Sequence, residues 1–162
     1  MMPQSRLTEG YCIDTCALID LWRRYYPPDV FESLWQDIEK LVNKGNLVAP
    51  NQVYEEIERQ DDELREWAKE HKDMFEKLTT DQIETVTEIL ENYPRLVDKE
   101  KTSEDADPFL ITQAICRDWK VVTSEQSSSH PNSPPKIPDV CDNYNVECYD
   151  LIDFFREENW QY

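Results

Sequence analysis

The chain has 162 residues and a formal net charge of −18, with 17 lysines and arginines against 35 aspartates and glutamates. Its length fits one domain, and a hydrophobic fraction of 39% that includes five tryptophans can fill a core, which excludes disorder along the whole chain. Only two glycines are present, which excludes glycine-rich phosphate-binding loops, and the negative charge disfavours binding nucleic acid or anionic membranes through a basic face.

The first part of the chain alternates short apolar runs with helical patterns. Asp29 and Asn51 are placed to act as N-caps, and Gly45 as a helix stop. We therefore predict, in chain order, a strand at Tyr11–Asp14, a helix at Thr15–Tyr26, a helix from Asp29 to Gly45, a strand at Leu47–Ala49 and a helix from Asn51 to about Gln60.

The second part begins with a very polar stretch, residues 61–105, which we predict to be helical with a weak apolar face after Thr80. The remaining predicted elements are a helix from about Ala106 to Trp119, a strand at Lys120–Thr123, a polar loop at about 126–137, a strand at Val146–Cys148 and a helix at Tyr149–Glu158. Strands that alternate with helices predict a single α/β domain, residues 1–162 with a core at about 10–158, in which helices cover both faces of a parallel sheet.

Cellular location is predicted from two absences. No apolar run has the length of a signal peptide or of a membrane span. The five cysteines form no disulfide-type or zinc-type spacing, and those at 12, 16 and 116 lie in apolar runs where a thiol behaves as a small hydrophobe. We expect a reduced, cytoplasmic protein without a structural zinc site.

Carboxylates follow the predicted strands or open the helices beside them. Because ligands bind at the carboxyl ends of parallel strands, these acids are candidates for one site. Glu56 flanks the inward face of its helix while Glu55 lies roughly opposite, which favours Glu56. The candidates, each from a different segment, are Asp14, Glu56, Asp107 and Glu125.

Each candidate also has an ordinary structural explanation. Asp14 is suited to be an N-cap, and Asp107 followed by a proline matches an N-cap followed by proline at the first helical position. Glu125 could be a simple loop acid. Clustered carboxylates nevertheless repel each other unless a cation neutralises them, and Mg²⁺ and Mn²⁺ prefer oxygen ligands. We therefore expect a site for Mg²⁺ or Mn²⁺, the kind of ion that can assist phosphodiester displacement.

Four segments in this order resemble the PIN-domain nucleases, and among them the VapC-like proteins, including a subgroup with a K-I-P-D-V-C type segment, here Lys136–Cys141. The resemblance extends over about residues 10–158. The segments that carry it are I13-D14-T15-C16-A17-L18-I19, V53-Y54-E55-E56-I57, A106-D107-P108-F109-L110-I111 and V121-V122-T123-S124-E125.

The resemblance implies a three-layer α/β/α sandwich with a parallel sheet of four or five strands. It also implies a metal-dependent endoribonuclease in which a metal-bound water attacks the phosphate in line, leaving 5′-phosphate and 3′-hydroxyl ends. Asp14, Glu56, Asp107 and Glu125 would bind Mg²⁺ or Mn²⁺, and the residues that support them would be Thr15, Thr123 and Ser124. Glu125 is one methylene longer than the aspartate common at its position. The family often pairs with an antitoxin and often forms homodimers.

Two further interpretations stay open. A non-catalytic PIN scaffold could receive a basic partner segment in its acidic pocket, and a phosphatase of the haloacid-dehalogenase type would need a second acid where Cys16 stands. RNA-backbone contacts are suggested weakly for four basic residues that equally suit an ordinary surface: Arg23, Arg24, Arg59 and Lys136.

Overall fold

The protein is an α/β sandwich built on one parallel sheet. A computed structural model describes residues 9–59, 62–96, 105–128 and 132–162. The strands are β1 (Tyr11–Ile13), β2 (Leu47–Pro50), β3 (Phe75–Glu76), β4 (Lys120–Val122) and β5 (Cys148–Tyr149). The α-helices are α1 (Thr15–Ile19), α2 (Glu32–Asn43), α3 (Asn51–Glu58), α4 (Asp62–Glu70), α5 (Thr80–Asn92), α6 (Asp107–Arg117), α7 (Ile137–Asn143) and α8 (Leu151–Glu157). A π-helix (Asp20–Tyr25) continues α1, and 3₁₀ turns occupy Lys72–Met74 and Pro94–Leu96.

The strand order explains where a ligand could bind. The strands lie in the order β3-β2-β1-β4-β5, and every neighbouring pair is parallel. The chain runs outward from β1 on one side and returns to β4 on the other, so the order reverses between β1 and β4. In open parallel sheets, the connections diverge at such a switch point and leave a crevice at the carboxyl ends of the strands.

Alternate side chains of the central strands face two different cores. Ile13 of β1 and Val122 of β4 pack on one side, in a core that includes Leu18, Ile38 and Phe154. The other core contains Cys12, Val48 and Val121 from the strands, with residues of α6 and α7 packed against them. Strand side chains alternate in direction, so these buried strands need helices on both faces. The predicted three-layer α/β/α fold with a parallel sheet is confirmed, and the sheet has five strands.

Local signals set several element ends. Thr79 and Gln82 form a reciprocal capping box at the start of α5, and Gly45 after α2 has a left-handed φ of +78°. Asp118 also adopts a left-handed φ of 56°, which ends α6 at Arg117 rather than at the predicted Trp119.

The predicted N-cap at Asp29 is wrong. The carbonyl of Pro27 accepts hydrogen bonds from the amides of Val30 (3.1 Å) and Phe31 (2.9 Å), so Asp29 lies within a turn and α2 begins later, at Glu32. Asn51 is not an N-cap either, because it is the first residue of α3 and Pro50 holds the cap position.

Two elements were not expected from the sequence. The polar stretch contains β3, an edge strand of two residues, and α7 follows the loop where no helix was predicted. The last strand is Cys148–Tyr149 rather than Val146–Cys148, because the Val146 amide instead bonds to Cys141 at the end of α7 (2.9 Å). The predictions for Gln60, residue 61, residues 97–104 and residues 129–131 lie outside the described residues.

Within the described ranges, no helix combines the length and apolar character that crossing a membrane requires.

Candidate metal centre at the carboxyl edge of the sheet

Asp14 lies at the centre of the candidate site, directly after β1. It is 2% exposed, and one carboxylate oxygen caps α1 by accepting the amide of Ala17 at 2.7 Å. Its other oxygen, Oδ2, accepts the hydroxyl of Thr123 and the thiol of Cys16, the latter at 3.2 Å. Asp14 is therefore both an N-cap and a member of the acidic cluster, so the two sequence interpretations describe different oxygens of one side chain.

Thr123 joins the ends of β1 and β4 across the switch point. Its hydroxyl donates to Asp14 and accepts the amide of Glu125 at 3.0 Å. Burial raises the pKa of Asp14 to about 7, against the three hydrogen bonds that lower it. Glu125 contributes a further increase through its charge. Ser124 is partly buried at the same strand end.

Glu56 reaches the cluster from α3, and Glu55 does not. One oxygen of Glu56 accepts the hydroxyl of Thr15, and the other accepts the amide of Ala106 at 3.3 Å. Glu55 is exposed and bonds to Asn51 on its own helix, at 3.3 Å. Of the two glutamates, Glu56 is thus the one that lies beside the cluster, and its role as a ligand stays a prediction.

Asp107 opens α6 with its carboxylate directed to the other acids. It is not an N-cap, because Ala106 holds that position and the side chain of Asp105 accepts the Asp107 amide at 3.2 Å. Burial raises the pKa of Asp107 to about 9. The charged groups that raise it further are all carboxylates, in order Glu125, Asp105, Asp14 and Glu56. The structure thus brings together all four acids predicted from the sequence.

Sequence reasoning missed two residues of the cluster. Cys16 was taken as a small hydrophobe, but it is partly exposed and its sulfur lies within 4.8 Å of ligand atoms of Asp14 and Glu125. Cys16 lies two residues after an acid suited to cap a helix, and this spacing could have indicated that its side chain is near that carboxylate. Asp105 is buried, and its spacing two residues before Asp107 matches an Asx turn that precedes a helix.

The loop after Glu125 is fastened at both ends by carboxylates. Glu125 accepts the amide of Ile137 at 3.1 Å. Asp139 accepts the amides of Ser128 (3.0 Å) and Lys136 (2.8 Å) with one oxygen. The helix that the sequence did not predict, α7, therefore holds Glu125 in place.

The predicted basic residues lie on the surface. Arg24 pairs with Asp20 at 3.4 Å, and Arg59 donates to the backbone of Glu55 at 3.1 Å. Arg23 and Lys136 are exposed. Among the described residues, no lysine or arginine forms an ion pair with any of the four predicted acids.

The donor set fits a hard divalent cation. Carboxylate oxygens are the ligands that Mg²⁺ and Mn²⁺ prefer, and an added cation would offset both the burial and the repulsion between carboxylates that raise the pKa of Asp107. A thiol at the edge of the set also suits Mn²⁺ or a softer ion better than Mg²⁺.

Comparison with known proteins gives a family but no activity. A search of curated proteins found no match. A family model described as a domain of unknown function, DUF4411, matches residues 11–162, which includes every element of the sheet and the whole acidic cluster. The chain therefore belongs to the DUF4411 family.

Proposed function

We propose that this protein is a divalent-metal-dependent endoribonuclease of PIN type. The observation that carries the proposal is the set of charged groups around Asp107. Every charged group that shifts its pKa is a carboxylate. A fold gains nothing from acids that only repel each other, whereas a site for a dication needs them. The resemblance of the four sequence segments to PIN-domain nucleases supplies the substrate class.

Asp14, Asp107 and Glu125 would hold Mg²⁺ or Mn²⁺, with Glu56 as the fourth acid of the site. When bound, such an ion activates water as a nucleophile and offsets the negative charge of the phosphate. This resolves the conflict between a net charge of −18 and a polyanionic substrate, because the required positive charge is brought by the ion.

The chain's own residues would hold this arrangement rigid. Thr123 and the Ala17 amide fix both oxygens of Asp14, and Ile137 fixes one oxygen of Glu125. The acids therefore need little rearrangement when an ion arrives, which favours both affinity and a defined direction of attack.

The biological setting is also part of the proposal. A toxin of a type II toxin–antitoxin pair, acting in the cytoplasm as a homodimer and controlled by an antitoxin protein, is what the resemblance to VapC-like proteins implies. These features depend on the resemblance alone.

The proposal is tested by RNA cleavage and Mn²⁺ binding measured on the same protein. We expect cleavage that needs Mn²⁺ or Mg²⁺, stops with excess chelator, and leaves 5′-phosphate ends. Asp14→Asn should reduce the rate by at least about 100-fold, since it removes a charged ligand. Glu55→Gln is the matched control, because Glu55 is exposed on the same helix as Glu56 and should keep full activity.

A different result would select the non-catalytic alternative. If the pure protein bound no divalent ion, cleaved no RNA and captured an arginine-rich peptide, the acidic pocket would be a binding site for a basic partner segment. Full cleavage by Asp14→Asn would contradict the nuclease proposal in any form.

A further inference from the structure

Glu56 uses both oxygens of its carboxylate for contacts within the protein, as Asp14 also does. Both oxygens of Glu56 accept hydrogen bonds from the protein, one from the hydroxyl of Thr15 and one from the amide of Ala106 at 3.3 Å. By contrast, no described residue donates a hydrogen bond to the carboxylate of Asp107, whose backbone amide donates to Asp105.

Each of the two donors is the chain neighbour of another acid of the site. Thr15 directly follows Asp14, and Ala106 directly precedes Asp107. Thr15 is 9% exposed and Ala106 is 2% exposed, so both donors are buried while Glu56 itself is partly exposed. Glu56 therefore connects the start of α1 to the start of α6 through a single side chain.

The segment that carries Asp107 has a second restraint. Asp105 accepts the Asp107 amide at 3.2 Å, which fixes the turn that leads into α6. Without Glu56, this turn would keep its internal hydrogen bond but lose its tie to α1. Glu56 therefore restrains the distance between Asp14 and Asp107, whereas Asp105 restrains only the turn that precedes Asp107.

We infer that Glu56 is a positioning residue, which sets the distance between Asp14 and Asp107 through Thr15 and Ala106, rather than a direct ligand of the ion. This inference rests on the proposed function, since it assigns Glu56 a role within the same metal site. Proximity supports the inference, because the described ligand atoms that lie within 4.8 Å of one another belong to Asp14, Cys16 and Glu125. Glu56 and Asp107 both lie outside this group, but of these two only Glu56 has both carboxylate oxygens occupied by donors from the protein.

The inference makes Thr15 and Glu56 parts of one unit, which a double-mutant cycle can detect. Mn²⁺ affinity is measured by electron paramagnetic resonance for the wild type, Thr15→Val, Glu56→Gln and the double variant. We expect each single variant to weaken Mn²⁺ binding by about 10-fold, the double variant to weaken it no further, and the number of bound ions to stay the same. Thr15→Ser keeps the hydroxyl and should restore the wild-type affinity.

Two outcomes would overturn the inference. If Glu56→Gln removed an ion or weakened binding far more than Thr15→Val, Glu56 would be a ligand. If the effects of the two substitutions multiplied, the residues would act independently.

A metal-free measurement separates this inference from the proposed function. Amide hydrogen exchange at Ala106 should accelerate in Glu56→Gln and not in Glu55→Gln, whether or not the protein binds metal. If Ala106 responds in this way but the wild type binds no Mn²⁺, the proposed function fails and the structural tie remains. Unchanged exchange at Ala106 overturns the positioning role itself.

Discussion

The carboxylates at the two ends of helix α6 have opposite kinds of neighbours. At its C-terminal end, Arg117 binds both oxygens of Glu76 at 2.5 and 2.6 Å, and Gln113 donates to the same carboxylate at 3.0 Å. At its N-terminal end, Asp107 faces other acids, and its pKa is raised to about 9. Glu76 stabilises the fold because a neighbouring arginine neutralises it. The acids at the sheet edge have no such cation from the described part of the chain, which is the arrangement expected of a site for a bound cation.

The largest expected effect of this difference is on how stability changes with pH. The native protein keeps protons on Asp14 and Asp107 up to pKa values of about 7 and 9, whereas the unfolded chain releases them near the ordinary aspartate pKa of 3.8. Raising the pH through this window therefore favours unfolding. One retained proton corresponds to about 1.4 kcal/mol per pH unit, so between pH 5 and pH 8 the metal-free protein should lose about 4 kcal/mol through Asp107 and about 3 kcal/mol more through Asp14.

Urea denaturation with a chelator present measures this loss. Asp107→Asn is the matched variant, since it keeps the shape of the side chain but cannot ionise, and its stability should vary much less over the same pH range. Mn²⁺ should also reduce the pH dependence in the wild type by binding the ionised form. Equal slopes for the wild type and Asp107→Asn would show that the cluster does not control the pH response.

The second effect concerns the paired end of α6. Arg117→Met should lower the free energy of unfolding by about 2 to 3 kcal/mol, because it leaves a partly buried Glu76 without its cation and removes the guanidinium that stacks on Trp119 at 4.6 Å. Arg156→Met is the control, as that side chain is 78% exposed and 4.0 Å from Asp153. The control should change stability by less than about 0.5 kcal/mol. Similar losses in both variants would show that the Arg117–Glu76 pair stabilises the fold no more than an exposed ion pair does.

The smallest effect compares two buried threonines. Thr123→Val should cost about 1 to 3 kcal/mol, because the Asp14 carboxylate loses a donor and the Glu125 amide loses an acceptor. The hydroxyl of Thr112 is buried without a hydrogen-bond partner among the described residues, so Thr112→Val should leave stability unchanged or raise it by about 1 kcal/mol. Thermal denaturation of the two variants, side by side at one pH, checks the opposite signs.

The sequence predicted what depends on patterns along the chain, and this covers most of the fold. Buried apolar runs identified β1, β2 and β4, and the rule that ligands bind at the ends of parallel strands led to the four acids. The edge strand β3 escaped prediction because two residues carry no periodicity, and its position is set by pairing with Ala49 and Pro50.

The finer geometry of the site depends on contacts between distant segments. Both oxygens of Glu56 accept hydrogen bonds, from Thr15 and Ala106. Predicting these contacts would require the position of α3 relative to α1 and α6. Cys16 shows the same limit, since its apolar neighbours along the chain suggested a core position while its first-turn location directs the thiol to Asp14. The identity of the bound ion and of the substrate are chemical properties that these contacts constrain but do not specify.

The fastening of the segment after β4 has a consequence for how relatives of this protein can diverge. Glu125 is attached to Ile137, and Asp139 is attached to Ser128 and Lys136, so the span is clamped near its base on both sides. Lengthening a loop costs little, about 0.6 kcal/mol for each doubling. Family members could therefore accept insertions here, and acquire new recognition of their targets, without displacing the acid that precedes the clamp.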